Sequence, residues 1–219
     1  MKAEGKFTES LWCSIETIYT DLIKHPFVNQ LAKGTLPHQC FAHYLSQDIL
    51  YIRDDSKALE NISKKATESA EQAFFRSLAS DGIAIEQELH NYFLKSFNVL
   101  EAKTKSPAIE EYTRFLIEHS EKSTYHIAAA ALLPCFWVYN KVGEHIFTHA
   151  QENNVYQKWI DTYQGGEYED YTKKFIQIVE RLANNSNDNE KKLMQEAFSH
   201  STMFELNFFE ESISNIYIK

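Results

Sequence analysis

Glycine and proline are scarce in this chain of 219 residues, which contains 6 Gly and 4 Pro. Both counts fall well below average usage. Because these residues most often break helices and form turns, their scarcity predicts few turns and long helices. No segment shows sustained alternation with the two-residue period of a strand. The sequence therefore predicts an all-α fold, and the absence of linkers and internal repeats predicts a single domain over residues 1–219.

Cysteine, basic charge and long apolar runs are also in short supply. The three cysteines, Cys13, Cys40 and Cys135, show no paired spacing, which is typical of a reducing cytoplasm. The net charge of −9 disfavours binding to nucleic acid or to an anionic membrane, since phosphate binding requires a basic surface. No apolar run approaches the ~20 residues of a transmembrane helix, and MKAEGKFTES at the start has no apolar segment of the signal-peptide type. We therefore predict a cytoplasmic protein that binds neither nucleic acid nor membrane.

Helical spacing of apolar residues, interrupted by the few breakers, divides the chain into helices. The first is predicted over 8–24, because the residue before Pro26 avoids the helical region. A short helix then ends at Gly34, which is typical of a helix C-cap. The remaining predicted helices cover 37–64, 68–98, 106–122, 124–149, 156–163 (closed by Gly165 and Gly166), 168–183 and 187–217.

Glu205 falls near the middle of an apolar stripe on the last predicted helix, a stripe formed by Met194, Ala197, Phe198, Phe204, Phe208 and Phe209. An ionised carboxylate is almost never buried alone, because its desolvation costs several kcal/mol. Two interpretations follow. Either the side chain reaches water past the aromatic residues, or Glu205 is a buried acid with a raised pKa that is suited to proton transfer near neutral pH.

Asp48 shows the same anomaly on the helix predicted over 37–64, where the apolar stripe consists of Phe41, Tyr44, Leu45, Ile52 and Leu59. Tyr51 lies one turn further along, and Asp55 is on this face too, nearer to the charged stretch RDDSK. Asp48 could accept a hydrogen bond from a backbone N–H of a neighbouring loop, or it could belong to a polar site.

Cys135 shares a helix face with Tyr139 and directly follows Pro134. A cysteine on an apolar stripe is more often an inert small hydrophobe than a nucleophile. Pro134, however, cannot donate to the carbonyl of Ala130, so the helix is expected to kink or loosen there. A buried acid, a buried thiol and tyrosine hydroxyls on inward helix faces together predict a reactive cavity in the core of a helical bundle.

Motifs for other chemistries are absent from the sequence. A di-iron carboxylate bundle needs Glu-x-x-His pairs, and no histidine of this chain has Glu three residues before it. Zinc motifs, papain-like and caspase-like cysteine signatures, a P-loop and a dinucleotide glycine motif are also absent. His25 could bind haem, but HPF at the end of a helix favours a structural turn. The sequence predicts no metal and no cofactor.

Five sequence blocks in the same order resemble the thiaminase II (TenA) family, over about residues 7–217. The blocks are HPFVNQLAKGTLP (25–37), QDILY (47–51), ALLPCFWVY (131–139), YQKWIDTYQGG (156–166) and FELNFFE (204–210). The resemblance is to the type that contains a cysteine in the third block. It implies the haem-oxygenase-like multi-helix fold, usually a homotetramer, with no haem or metal.

The resemblance also implies a reaction and roles for the residues. Members of the family hydrolyse 4-amino-5-aminomethyl-2-methylpyrimidine to the hydroxymethyl compound, and many also split thiamin into pyrimidine and thiazole. By this resemblance Cys135 is the nucleophile, Glu205 transfers protons and Asp48 holds the aminopyrimidine ring. The aromatic residues implied around that ring are Tyr51, Tyr112, Tyr139, Tyr163 and Phe208.

Three departures from the family pattern leave the preferred leaving group open. Phe136 replaces a tyrosine common after the cysteine, and Phe204 and Phe209 replace a tyrosine and a tryptophan common around the glutamate. Two other functions remain as alternatives: an oxidase or oxygenase with the haem-oxygenase fold, and a non-catalytic regulatory protein that binds a pyrimidine. Bound iron or colour favours the first, and binding without turnover favours the second.

Overall fold

The chain is helical in the computed structural model, which describes residues 1–97, 102–163 and 166–214. Those residues form ten helices and contain no strand, so the prediction of an all-α fold is confirmed. The helices are α1 (Lys6–Ser14), α2 (Glu16–Lys24), α3 (Pro26–Ala32), α4 (His38–Lys65), α5 (Ser69–Phe97), α6 (Pro107–Lys122), α7 (Tyr125–His149), α8 (Gln157–Thr162), α9 (Gly166–Asn184) and α10 (Asp188–Ser214).

The first predicted helix, over 8–24, is wrong as a single element, because α1 and α2 meet at Ile15. The backbone of Ile15 has φ −111° and ψ 5°, and its N–H donates to the carbonyl of Trp12, three residues back instead of four. The Ser14 hydroxyl donates to the carbonyl of Leu11 at 2.7 Å. This bond does not by itself end a helix, since Ser46 makes the same bond to His43 inside α4. Gly166, predicted to close the helix over 156–163, is instead the first residue of α9. Positions 98 and 215–217 of the predicted helices, together with Gly165, lie outside the described residues.

Three breakers act where the sequence predicts them. Pro26 is the first residue of α3, and the ring Nδ1 of His25 accepts a hydrogen bond from the N–H of Phe27 at 3.2 Å. Gly34 has φ +66°, a left-handed conformation that glycine adopts without a steric cost. Pro107 opens α6, where the missing N–H of proline costs the helix no hydrogen bond.

Helix α7 is the centre of the fold. It packs against α2, α3, α4, α6, α8, α9 and α10. Residues 128–134 are buried without exception, which is expected of a helix that is apolar on all sides. Helix α4 lies between α5, α6 and α7. Apolar side chains from each of the ten helices form one continuous buried cluster. Polar groups on the inner faces of α4 and α7 are therefore held inside the protein.

Within the described ranges, no helix is both long enough and apolar enough to cross a membrane.

Candidate active site

A cavity lies between α4, α5, α7, the end of α8 and the start of α9. Most of the lining is apolar, with Ile52, Leu59 and Phe136 among the contributing side chains. The titratable side chains on the cavity wall are Asp48, Tyr51, Asp55, Cys135, Tyr139, Tyr163 and Tyr168.

Helix α4 supplies three of these groups from one face. Asp48, Tyr51 and Asp55 are three and then four residues apart, so they follow each other up the helix on the same side. All three are buried: Asp48 is 4% exposed, Tyr51 4% and Asp55 6%. Within the described part of the chain, the Tyr51 hydroxyl and Oδ1 of Asp55 have no hydrogen-bond partner of normal geometry.

Helix α7 supplies Cys135 and, one turn later, Tyr139. Burial raises the pKa of the Cys135 thiol well above its ordinary value, and the negative charges of Asp55 and Glu205 raise it further. Interaction with the Tyr51 hydroxyl offsets part of this rise. The thiol is therefore neutral near pH 7, and a thiol reacts as a nucleophile through its thiolate form.

Pro134 leaves α7 unbroken, since the helix runs from Tyr125 to His149. The proline has no N–H, so the carbonyl of Ala130 loses its usual helical donor one turn before the thiol. The Tyr168 hydroxyl lies against this stretch from α9 and donates to the carbonyls of Cys135 and Phe136 at 3.4 and 3.3 Å. The backbone beside the thiol is thus held by a side chain from another helix.

Glu205 of α10 is buried, with 1% of its surface exposed, so of the two interpretations of this residue the structure shows the buried acid. Its Oε1 accepts a hydrogen bond from the Tyr112 hydroxyl at 2.5 Å. Burial raises the pKa of Glu205 to about 8; the bond from Tyr112 lowers it, whereas the charges of Asp48 and Asp55 raise it. At pH 7 this carboxyl is mostly protonated and can act as an acid.

Tyr112, Glu205 and Phe208 are in a layer behind the cavity wall and are not among the residues that line it. The centroid of the Tyr112 ring lies 4.9 Å from that of the Tyr51 ring. Tyr112, which is hydrogen-bonded to Glu205, therefore contacts a residue of the cavity wall. Phe208 stacks on Tyr44 at 4.9 Å, and the hydroxyls of Tyr44 and Tyr139 are hydrogen-bonded at 3.2 Å. The cavity wall thus carries five of the eight residues proposed from the sequence, namely Asp48, Tyr51, Cys135, Tyr139 and Tyr163.

Two titratable residues on the wall, Asp55 and Tyr168, are missing from the set that the sequence singled out. Burial raises the pKa of Asp55 to about 7, and the charge of Asp48 adds to this rise. Helical spacing did place Asp55 on the inner face of α4, but its charged neighbours pointed to the surface. Tyr168 is the third residue of α9, two residues after Gly166, and no pattern in the sequence marked it.

No group of three or more His, Cys, Asp or Glu side chains is arranged to hold a metal ion within residues 1–97, 102–163 and 166–214.

Known proteins similar to this chain include enzymes of pyrimidine chemistry. The chain is 29% identical to an aminopyrimidine aminohydrolase of Bacillus subtilis, with 93% of this chain and 88% of the relative covered. It is also 29% identical to the thiamine biosynthesis multifunctional protein ThiED of Corynebacterium efficiens, over 95% of this chain. The chain spans only 28% of the length of that larger protein.

Solved structures show the same architecture. A TenA homologue from P. horikoshii OT3 is 28% identical and superimposes with a TM-score of 0.85, covering 95% of this chain and 98% of the other. A domain of unknown function from Shewanella denitrificans, described as having a heme oxygenase-like fold, gives a TM-score of 0.77 at 11% identity, with 96% of this chain and 93% of that chain covered. The haem-oxygenase-like fold is therefore confirmed. The sequence profile of the TENA/THI-4/PQQC family matches residues 12–215, and this chain belongs to that family.

Proposed function

We propose that this chain is an enzyme of thiamin salvage that hydrolyses 4-amino-5-aminomethyl-2-methylpyrimidine to 4-amino-5-hydroxymethyl-2-methylpyrimidine. The observation that carries the proposal is the cavity wall on which the Cys135 thiol, the Asp48 carboxyl and several tyrosine hydroxyls meet. Relatives named aminopyrimidine aminohydrolase, at 24–29% identity, support the substrate class.

The cavity suits a small, flat, polar ring. Asp48 accepts a hydrogen bond from the exocyclic amine of the pyrimidine, which fixes the direction in which the ring faces. The rings of Tyr139 and Tyr163, 5.6 Å apart, provide aromatic surface on the wall. Such a site combines apolar enclosure with a few polar groups that set orientation.

Cys135 supplies the nucleophile in this proposal. An aromatic pyrimidine does not expel a substituent from its exocyclic methylene unaided. When the sulfur of Cys135 adds to the adjacent ring carbon, aromaticity is broken and the resulting enamine expels the amine. Water then adds to the methylene carbon, and the thiolate leaves as the aromatic ring re-forms. The raised pKa of the resting thiol means that its proton must pass to water as the sulfur–carbon bond forms, and the proton released when water adds to the methylene carbon restores the thiol at the end of the cycle.

Glu205 supplies and recovers the proton of the ring nitrogen. Because its pKa is raised to about 8, Glu205 is protonated at the start of the cycle and acts first as an acid. It takes the proton back when the thiolate leaves. The Tyr112 hydroxyl, which donates to Glu205 and whose ring packs against Tyr51, offers a route between the acid and the cavity.

Thiamin cleavage is a second reaction of the same chemistry, with a thiazole as the leaving group. Of the three departures from the family pattern, Phe136 lines the cavity, whereas Phe204 stacks on Tyr112 and Phe209 stacks on Phe27. Phe136 is therefore the departure that can act on the leaving group directly. We propose the aminomethyl compound as the main substrate and thiamin as a secondary one.

The test is a direct assay of the purified protein with each substrate. The proposal expects ammonia and the hydroxymethylpyrimidine in equal amounts from the aminomethyl compound, with one oxygen from labelled water in the product. It also expects a higher kcat/KM for that compound than for thiamin. Binding without turnover would identify a pyrimidine-binding protein instead, and bound iron with oxygen consumption would identify an oxidase or oxygenase.

The assembly that we propose is a cytoplasmic homotetramer, on the strength of the family resemblance. Sedimentation at micromolar concentration is expected to show four copies, and a monomer would contradict the proposed assembly.

A further inference from the structure

Asp55 is a buried acid on the cavity wall to which the mechanism above gives no role. It lies on α4 two turns from Asp48, and it faces the same cavity as the Cys135 thiol. Only 6% of its surface is exposed, and its Oδ1 has no hydrogen-bond partner among the described residues. A buried carboxyl oxygen that lacks a partner costs free energy, so such a group in a native cavity requires an explanation.

The charges around the cavity have one sign. Asp48 and Asp55 are on the wall, and Glu205 lies in the layer behind Tyr51 and Tyr112. Within the described lining there is no Lys, Arg or His. Negative groups placed together without a basic residue raise one another's pKa and favour a positively charged ligand. The pKa of Asp55, which burial and the charge of Asp48 raise to about 7, agrees with this arrangement.

We propose that the Asp55 carboxylate binds the positively charged group on the methylene carbon of the substrate, so that the cavity selects substrates with a cationic leaving group. This inference rests on the proposed function. Asp48 is assigned to the exocyclic amine of the ring, and Asp55 is the other carboxyl on the wall. The substituent to be expelled is attached to the ring beside the carbon that Cys135 attacks.

The chemistry of the leaving group agrees with this role. An alkyl amine is protonated at pH 7, as the lysine side chain is, so the aminomethyl group enters as an ammonium ion. When the carbon–nitrogen bond breaks, its electron pair leaves with nitrogen as neutral ammonia, and the carboxylate keeps its charge. The hydroxymethyl product is neutral at the same position. The cavity should therefore bind the substrate more tightly than the product, and Asp55 should account for the difference.

The test compares the two ligands in matched variants. Cys135→Ser prevents turnover, and in this background Asp55→Asn removes the charge with little change in shape. Asp54→Asn is the control, since Asp54 is the adjacent aspartate but pairs with Lys57 and Lys105 outside the cavity. Calorimetry then gives Kd for the aminomethyl and the hydroxymethyl compounds, and circular dichroism verifies folding. Asp55→Ser provides a second neutral variant.

The result expected for Asp55→Asn is a Kd for the aminomethyl compound that rises about 10- to 100-fold, as for the loss of a charge-assisted hydrogen bond. Its Kd for the neutral compound should change less than about threefold, and Asp54→Asn should change neither value. An unchanged ratio of the two Kd values in folded Asp55 variants would overturn the inference, whether both values rise together or neither moves. A Cys135→Ser protein with native Asp55 that binds neither compound would instead remove the proposed function.

Discussion

Replacing Glu205 with Gln should stabilise the fold while it removes activity, and the gain in stability should depend on pH. Burial raises the pKa of Glu205 from 4.5 to about 8. Between these two pH values the unfolded chain loses the proton of Glu205 and the folded chain keeps it. The folded state then binds more protons, so its stability falls as pH rises. Glutamine has no proton to lose, and its amide oxygen can still accept the hydrogen bond from Tyr112.

The size of this gain in the free energy of unfolding follows from the change in the pKa of Glu205, since each pKa unit corresponds to about 1.4 kcal/mol. The free energy of unfolding of Glu205→Gln should exceed that of the parent by about 1 kcal/mol at pH 5 and by about 3 kcal/mol at pH 7. The excess therefore grows by roughly 2–3 kcal/mol between the two pH values. For a chain of this size each kcal/mol changes Tm by roughly 2–4 °C. The gap in Tm between variant and parent should therefore widen by about 5–10 °C from pH 5 to pH 7.

Differential scanning calorimetry at the two pH values measures this gap. Glu196→Gln on the same helix is the matched control, because Glu196 is exposed. The Tm of this variant should differ little from that of the parent at both pH values. Activity of Glu205→Gln should fall by about 10²–10⁴-fold, as for the loss of a general acid. A gap in Tm that stays constant from pH 5 to pH 7, or a Gln variant that is less stable than the parent at pH 7, would refute the reasoning.

Two further predictions concern hydrogen bonds to buried acids. Tyr112→Phe removes the bond that lowers the pKa of Glu205, so the alkaline limb of the pH profile of kcat should move to higher pH. A limb that stays at the same pH would show that the ionisation of Glu205 does not control kcat. Arg181→Met should lower Tm by about 5–10 °C, because buried Glu71 loses its ion pair and keeps only the bond from Tyr125. Activity at 20 °C should be unchanged, and an unaltered Tm would contradict the role given to this pair.

The fold was largely predictable because each helix carries its own signals. Pro26 and Gly34 bound α3 as the sequence indicates, and the helical period alone places Glu205 inside a stripe of aromatic residues. The break at Ile15 was not predicted. The apolar spacing on either side of this residue continues without interruption, so the sequence gives no sign of the break.

The cavity wall was less predictable, since it joins side chains from helices far apart in the sequence. The period of α4 shows that Asp48 and Asp55 share a face, but not that this face meets α7 and α9. Asp55 is preceded by Arg53 and Asp54, which made a solvated surface the simpler interpretation. Tyr168 contacts the backbone at Cys135 from a helix that starts 31 residues later. Patterns among residues close in the sequence cannot predict such a contact.

Turnover by Cys135→Ser is the measurement that tests the central claim most directly. The serine variant should bind the aminomethylpyrimidine but release no ammonia above background, because no histidine lines the described part of the cavity to activate a hydroxyl. Cys13→Ser and Cys40→Ser are the controls: Cys13 is exposed and Cys40 is buried away from the cavity, so both variants should keep most of the activity. A Cys135→Ser variant that retains kcat within a factor of ten of the parent would contradict nucleophilic catalysis by this thiol.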